Sequence, residues 1–234
     1  MFRACRPVFA VAFLAAVAAS ASAAEAPPVA LMKGDRVVFL GDSITQAGAG
    51  PKGYVTLIKN ALQEKHKDLD IEVINAGVSG NQVPDIQKRL ERDVLSKKPT
   101  VVVVYIGIND VWHGEKDPSQ GTSKEKYEAG LRDVIKRCQD AGARVILCTP
   151  SVIGEKNDGS EVNDPKLDAY ADVSRAVAKD LKVPVCDLRK DFQAYEKEHN
   201  ADNKESGVLT VDRVHLNDAG NKFVADAILK MFGD

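Results

Sequence analysis

The 234-residue chain sets 32 Lys and Arg against 34 Asp and Glu, a formal charge of −2, with 44% hydrophobic residues. That balance leaves no basic footprint for nucleic acid and supplies the apolar side chains for one domain of ordinary size. Its four cysteines form no CxxC pair, and Cys138, Cys148 and Cys186 lie in apolar segments where a small buried hydrophobe is expected.

Residues 1–24 begin with Arg3 and Arg6, run apolar from Val8 to Ala19 and end rich in Ala and Ser. That is the pattern of a secretory signal peptide, which predicts a secreted or periplasmic protein. The apolar core is short for a membrane span, so stable membrane insertion is not expected. Loss of Arg3 and Arg6 with the leader shifts the formal charge from −2 to −4. Residues 25–34 are a Pro/Ala-rich lead-in, and 35–234 form the predicted domain.

The first strand is predicted at 36–40, where Val37-Val38-Phe39-Leu40 is a buried-strand run ended by Gly41. Residues 46–53 read as a loop and 54–66 as a helix with Val55, Ile58 and Leu62 on one face. A second strand at 71–74 ends in Asn75-Ala76-Gly77, and a helix follows over 84–97. Thr100 to Ile106 is the most apolar run and reads as the centre of the sheet. It ends in Gly107-Ile108-Asn109-Asp110. After a polar loop at 113–122 come a helix over 124–141, a strand over 145–148 and a second polar loop at 151–165. A helix at 167–181, a strand at 183–188, a helix at 191–199 and a last helix at about 218–232 complete the chain. Five alternations of strand and helix predict a parallel sheet with helices on both faces.

In such a sheet the carboxyl ends of all strands share one edge, where sites are built. Ser43, Gly77, Asn109 and the pair Asp212 and His215 all fall just past strands or just before the closing helix. Ester hydrolysis needs these residue types. A serine hydroxyl is a weak nucleophile until an imidazole takes its proton. The imidazole needs a carboxylate to fix its tautomer and stabilise its cation. The oxyanion formed on attack needs donors, which the N–H of Ser43, the N–H of Gly77 and the amide of Asn109 can supply. Each piece has a plainer use, as a helix cap, a turn or an exposed histidine. Their joint placement on one edge is what points to chemistry.

On the motifs Gly41-Asp42-Ser43-Ile44, Asn75-Ala76-Gly77, Gly107-Ile108-Asn109-Asp110 and Asp212-Arg213-Val214-His215, the chain resembles the SGNH hydrolases, the GDSL family of esterases and lipases. The resemblance extends over about residues 35–233. It implies a three-layer α/β/α sandwich around a flavodoxin-like parallel sheet of about five strands. It implies Ser43 as nucleophile, His215 as base, Asp212 as its partner, Ser43, Gly77 and Asn109 as oxyanion donors, and no cofactor. The first motif carries Ile44 where many members carry Leu. The Gly-x-Ser-x-Gly elbow of the α/β-hydrolases is missing.

Gly48 to Gly53 matches G-x-G-x-x-G, but it starts late after the strand and Pro51 interrupts it, so a dinucleotide site is not expected. Asp212 and His215 have no further His or Cys at ligand spacing, so no metal is expected. Trp112, just past Asn109, is a candidate substrate-binding ring or ordinary packing. The loops at 113–122, 151–165 and 200–211 are polar and are expected to rim the site. They lack the apolar surface of a lipase. The substrate expected is therefore a small-molecule or carbohydrate ester with a short acyl group such as acetyl. The alternatives are a lysophospholipase- or thioesterase-like acyl hydrolase and, less favoured, an inactive carbohydrate-binding module.

Overall fold

The computed structural model describes residue 1, residues 28–115 and residues 117–233. The expected leader, Met1 apart, lies outside the described residues. Among these described residues five strands form one sheet: β1 (Arg36–Gly41), β2 (Glu72–Gly77), β3 (Val101–Tyr105), β4 (Arg144–Cys148) and β5 (Val185–Cys186). Their order is β2-β1-β3-β4-β5 and every pairing is parallel. All five residues of β3 are buried, which accounts for its unbroken Val run.

Among the described residues, eight α-helices surround the sheet: α1 (Ser43–Ala47), α2 (Tyr54–Lys65), α3 (Val83–Asp93), α4 (Ile108–Trp112), α5 (Lys124–Asp140), α6 (Asp164–Leu181), α7 (Leu188–His199) and α8 (Asp218–Lys230). Helices α3, α5 and α6 pack in series, and α2 packs on α8. Phe192 of α7 meets Phe223 of α8 edge-on, with ring centroids 5.2 Å apart. The result is the three-layer sandwich that the alternation predicted.

The differences from the sequence reading are local. The expected loop at 46–53 is preceded by a one-turn helix, α1, that begins on Ser43 itself. A second short helix, α4, carries Asn109. Five residues are too few to show a 3.6-residue period. The helix expected over 84–97 ends at Asp93 and continues as a 3₁₀ turn, Leu95–Lys97. The last strand, expected over 183–188, pairs only at Val185 and Cys186, because β5 is an edge strand flanked by Pro184 and by the cap of α7. Cys138, Cys148 and Cys186 are buried, as their apolar settings predicted, and all three are free thiols.

Two glycines let the elements close on each other at the active edge. A Cβ on Gly77 would lie 2.1 Å from the backbone N of Gln46, so β2 can lie against α1 only without a side chain there. Gly107 caps α4 at φ 130°, a region costly for any other residue.

Candidate active site

The carboxyl edge brings together the residues singled out from the sequence. His215 Nε2 lies 2.9 Å from Ser43 Oγ, and His215 Nδ1 lies 2.7 Å from Asp212 Oδ2. The second contact fixes the tautomer, because Nδ1 must donate to the carboxylate and Nε2 is left to accept from the serine hydroxyl. Asp212 reaches this position on a tight turn. Its Oδ1 accepts the N–H of His215 at 2.8 Å and of Val214 at 3.2 Å. Val211 N–H donates to His215 O at 2.8 Å and closes the turn. Arg213 at its apex adopts φ 81°. Burial works to raise the Asp212 pKa, but the N–H and ring of His215 and the N–H of Val214 outweigh it and hold the carboxyl below its ordinary value.

The three groups expected as oxyanion donors are arranged less simply. Ser43 opens α1, so its N–H has no carbonyl four residues back inside the helix. Asn109 is buried at the start of α4, and its Nδ2 donates to Asn81 O at 3.1 Å, which orients the amide and leaves its second hydrogen. Gly77 N–H, read from the sequence as a third donor, already donates to Asn75 Oδ1 at 2.9 Å. The Asn75 side chain reaches forward over two residues as an Asx turn and also donates to Thr45 O at 2.5 Å. For Gly77 to serve an oxyanion, its N–H must be shared with Asn75 or released from it.

Two further carboxyls lie beneath the edge. Asp42 is fully buried and caps α1 by accepting Ile44 N–H at 2.9 Å. Burial pushes its pKa up to about 7, against the pull of that N–H. Asp110 accepts Val83 N–H at 3.1 Å, and burial lifts its pKa to about 6. Trp112 is half-buried, and its ring centroid is 6.3 Å from that of His215, edge-on. Among the described residues no group of three or more His, Cys, Asp or Glu side chains is placed to hold a metal ion.

The loops expected to form a polar rim are partly turned inward. Glu155, Glu161, Asn163 and Asn200 are all buried. Glu155 accepts the N–H groups of Val208, Leu209 and Thr210 at 2.8, 2.6 and 2.6 Å. Gly154 N–H donates to Arg213 O at 2.8 Å, and Arg213 is ion-paired to Glu205 at 2.8 Å. The loop after β4 thus fastens the segment that delivers Asp212 and His215. Nothing in the local sequence marked Glu155 for this, since it sits in a charged stretch without periodicity. Gln82 is a second residue the sequence did not single out. Its side chain donates to Asn109 O at 3.1 Å and Gln120 O at 2.6 Å, and accepts from Thr122 Oγ1 at 2.9 Å.

A parallel sheet that ends in a serine, an imidazole and a carboxylate linked by hydrogen bonds is the framework of an ester hydrolase. The GDSL-like lipase/acylhydrolase family matches residues 39–223. An acetylxylan esterase of Geobacillus stearothermophilus is 33% identical over 217 residues, 86% of this chain and 94% of that one. A solved acetyl xylan esterase structure is 46% identical with a TM-score of 0.80, covering 83% of this chain and 98% of the other. A homologue of isoamyl acetate-hydrolyzing esterase 1 from Rattus norvegicus is 28% identical over 205 residues, 81% of this chain and 78% of that one. The chain belongs to the GDSL-like lipase/acylhydrolase family and is a carboxylic ester hydrolase of the SGNH type. No helix among the described residues is long and apolar enough to cross a membrane.

Proposed function

We propose that the protein is a secreted or periplasmic esterase that removes short acyl groups, acetyl above all, from carbohydrate. The observation that carries the reading is the unbroken chain from Asp212 through His215 to Ser43, with links of 2.7 and 2.9 Å. Ser43 Oγ attacks the acyl carbonyl carbon as its proton passes to His215 Nε2. The oxyanion is met by the Ser43 N–H and the Asn109 amide, with Gly77 N–H as the third donor once it is shared with or released from Asn75 Oδ1. On collapse the C–O bond to the sugar breaks, and His215 Nε2 returns the proton to the leaving oxygen. Water then attacks the acyl-enzyme, gives a proton to His215 and releases the acid, and Ser43 recovers its hydrogen. Asp212 holds the imidazolium throughout.

Two features support a short acyl group on sugar. The relatives named for acetyl esters span nearly their whole length with this chain. The large exposed apolar side chains next in sequence to Gly77 and Asp212 are two valines, Val78 and Val211. Trp112, beside His215, is the proposed ring for the sugar face. The leader at 1–24 supports export.

The test sets 4-nitrophenyl esters of increasing chain length beside acetylated xylo-oligosaccharides. Acetyl is expected to give the highest kcat/KM, with acetate released from the oligosaccharides. A preference for chains of about eight carbons or more would move the assignment to a lipid acyl hydrolase, because each buried CH₂ adds about 0.8 kcal/mol in an apolar slot. Failure of a fluorophosphonate probe to label Ser43 would remove the catalytic reading altogether.

A further inference from the structure

Arg89 lies on the inner face of α3 and is 7% exposed. A buried guanidinium carries five donors in a rigid fork and must find acceptors for them. Arg89 finds them at the carboxyl ends of two strands and in the loop that follows. Its Nη2 donates to Gly41 O at 2.9 Å, its Nη1 to Ala76 O at 2.9 Å and its Nε to Asn81 Oδ1 at 2.6 Å. Asp93, four residues on, balances the charge at 3.2 Å.

Each of the three acceptors belongs to a residue that leads into, or holds, an oxyanion donor. Gly41 is the last residue of β1 and is followed by Asp42 and Ser43. Ala76 O belongs to the same peptide unit as Gly77 N–H, so a cation on that oxygen polarises that N–H as a donor. Asn81 O is the acceptor that orients the Asn109 amide. The same Gly41 carbonyl also accepts Val78 N–H at 3.1 Å, which ties β1 and β2 together on this side. A structural arginine would need only to satisfy its own donors. Here one side chain spans the backbone leading to all three donors.

We propose that Arg89 is a positioning residue for ester hydrolysis: its buried fork holds the segments carrying Ser43, Gly77 and Asn109 in one arrangement, and so sets the oxyanion-binding geometry. The proposal rests on the reading of Ser43 as nucleophile. Lysine at 89 keeps the charge but is a single point donor and cannot span three acceptors. The Asn81 side chain is a separate handle, since its removal frees Arg89 from the residue whose backbone carbonyl holds the Asn109 amide and leaves the two strand-end bonds in place.

The experiment measures kcat and KM for 4-nitrophenyl acetate with the full chain and with Arg89→Lys, Asn81→Ala, Asn109→Ala and the Arg89→Lys/Asn109→Ala double variant. Arg89→Lys is expected to lose about 10²-fold in kcat and Asn81→Ala about 10-fold, with KM within about 2-fold, as for lost transition-state donors. The double variant is expected to lose less than the product of its two single losses, because both changes act on the same donors. Folded Arg89→Lys and Asn81→Ala proteins with kcat within about 2-fold of the parent would overturn the proposal. So would single losses that multiply fully in the double variant, or that fall on KM alone. If Arg89→Lys does not fold, Asn81→Ala decides between the same two outcomes. An inactive parent that fails to label with the fluorophosphonate would instead sink the reading of Ser43, so the two failures are told apart.

Discussion

Ser43 Oγ and His215 Nε2 meet at 2.9 Å across 172 residues of chain. One hydroxyl stands at the first turn after β1, and the imidazole stands on a turn that no strand of the sheet contains. The contact is therefore made by the packing of loops on the sheet edge, and it is only as firm as those loops.

Asp212→Asn keeps the shape of the turn but removes the charge that holds Nδ1–H and stabilises the imidazolium. A loss of about 10²- to 10⁴-fold in kcat for 4-nitrophenyl acetate is expected, with near-unit change in KM. Steady-state kinetics beside a thermal melt checks it. A variant within 3-fold of the parent in kcat would show that His215 is oriented without the carboxylate.

Glu155→Ala leaves the N–H groups of Val208, Leu209 and Thr210 without their acceptor. Orphaned buried donors cost about 1–3 kcal/mol each, so urea unfolding is expected to show a loss of about 3 kcal/mol or more. Activity is expected to fall with stability, because the same segment leads into Asp212 and His215. Glu155→Gln keeps one acceptor oxygen and is expected to recover part of both. Equal behaviour of the Ala and Gln variants would count against the clamp.

Gly77→Ala places a methyl group 2.1 Å from Gln46 N and 2.5 Å from Thr45 C, which are backbone atoms of α1. Overpacking of this kind costs about 1–3 kcal/mol, and for a chain of this size about 2–4 °C in Tm per kcal/mol. Since α1 starts on Ser43, kcat is expected to drop as well. Unchanged melting and turnover would mean that β2 and α1 separate freely.

Glu196 is buried on α7, and burial lifts its pKa from the ordinary 4.5 to about 8, with the Glu155 charge adding to the rise. Between these values the unfolded chain has released its proton and the folded chain retains it. The folded state binds more protons there, so the stability Glu196 contributes falls as pH rises through the window. Glu196→Gln has no proton to lose. Its Tm relative to the parent is expected to rise steadily from pH 5 to pH 8, and a pH-independent difference would contradict the shift.

Arg89 shows how much of the site was legible and how much was not. Ile86 and Leu90, four residues apart, share the buried face of α3, and Arg89 falls between them on that face. A charged residue on a buried face is a signal, but its targets were invisible, because two of them are backbone carbonyls of other strands. The inward-turned part of the loops at 151–165 and 200–211 was hidden for a related reason. Their polar residues looked like a wet rim, whereas Glu155 and Asn200 turn inward to satisfy backbone groups of neighbouring loops. Composition reports polarity, not the partner that takes it up. The short helices α1 and α4 escaped because one turn carries no readable period.

The sequence by itself determined the layer order, the central place of β3 and the set of side chains available for ester chemistry. Those follow from local periodicity and from functional groups that only a few residue types possess. Tertiary structure alone decided that Gly77 N–H faces Asn75 Oδ1, that Glu155 secures the histidine loop and that Arg89 gathers the ends of β1 and β2. Each of these is a bond to a backbone atom of the chain, and every residue carries such atoms, so no pattern of side chains can announce which one will be met.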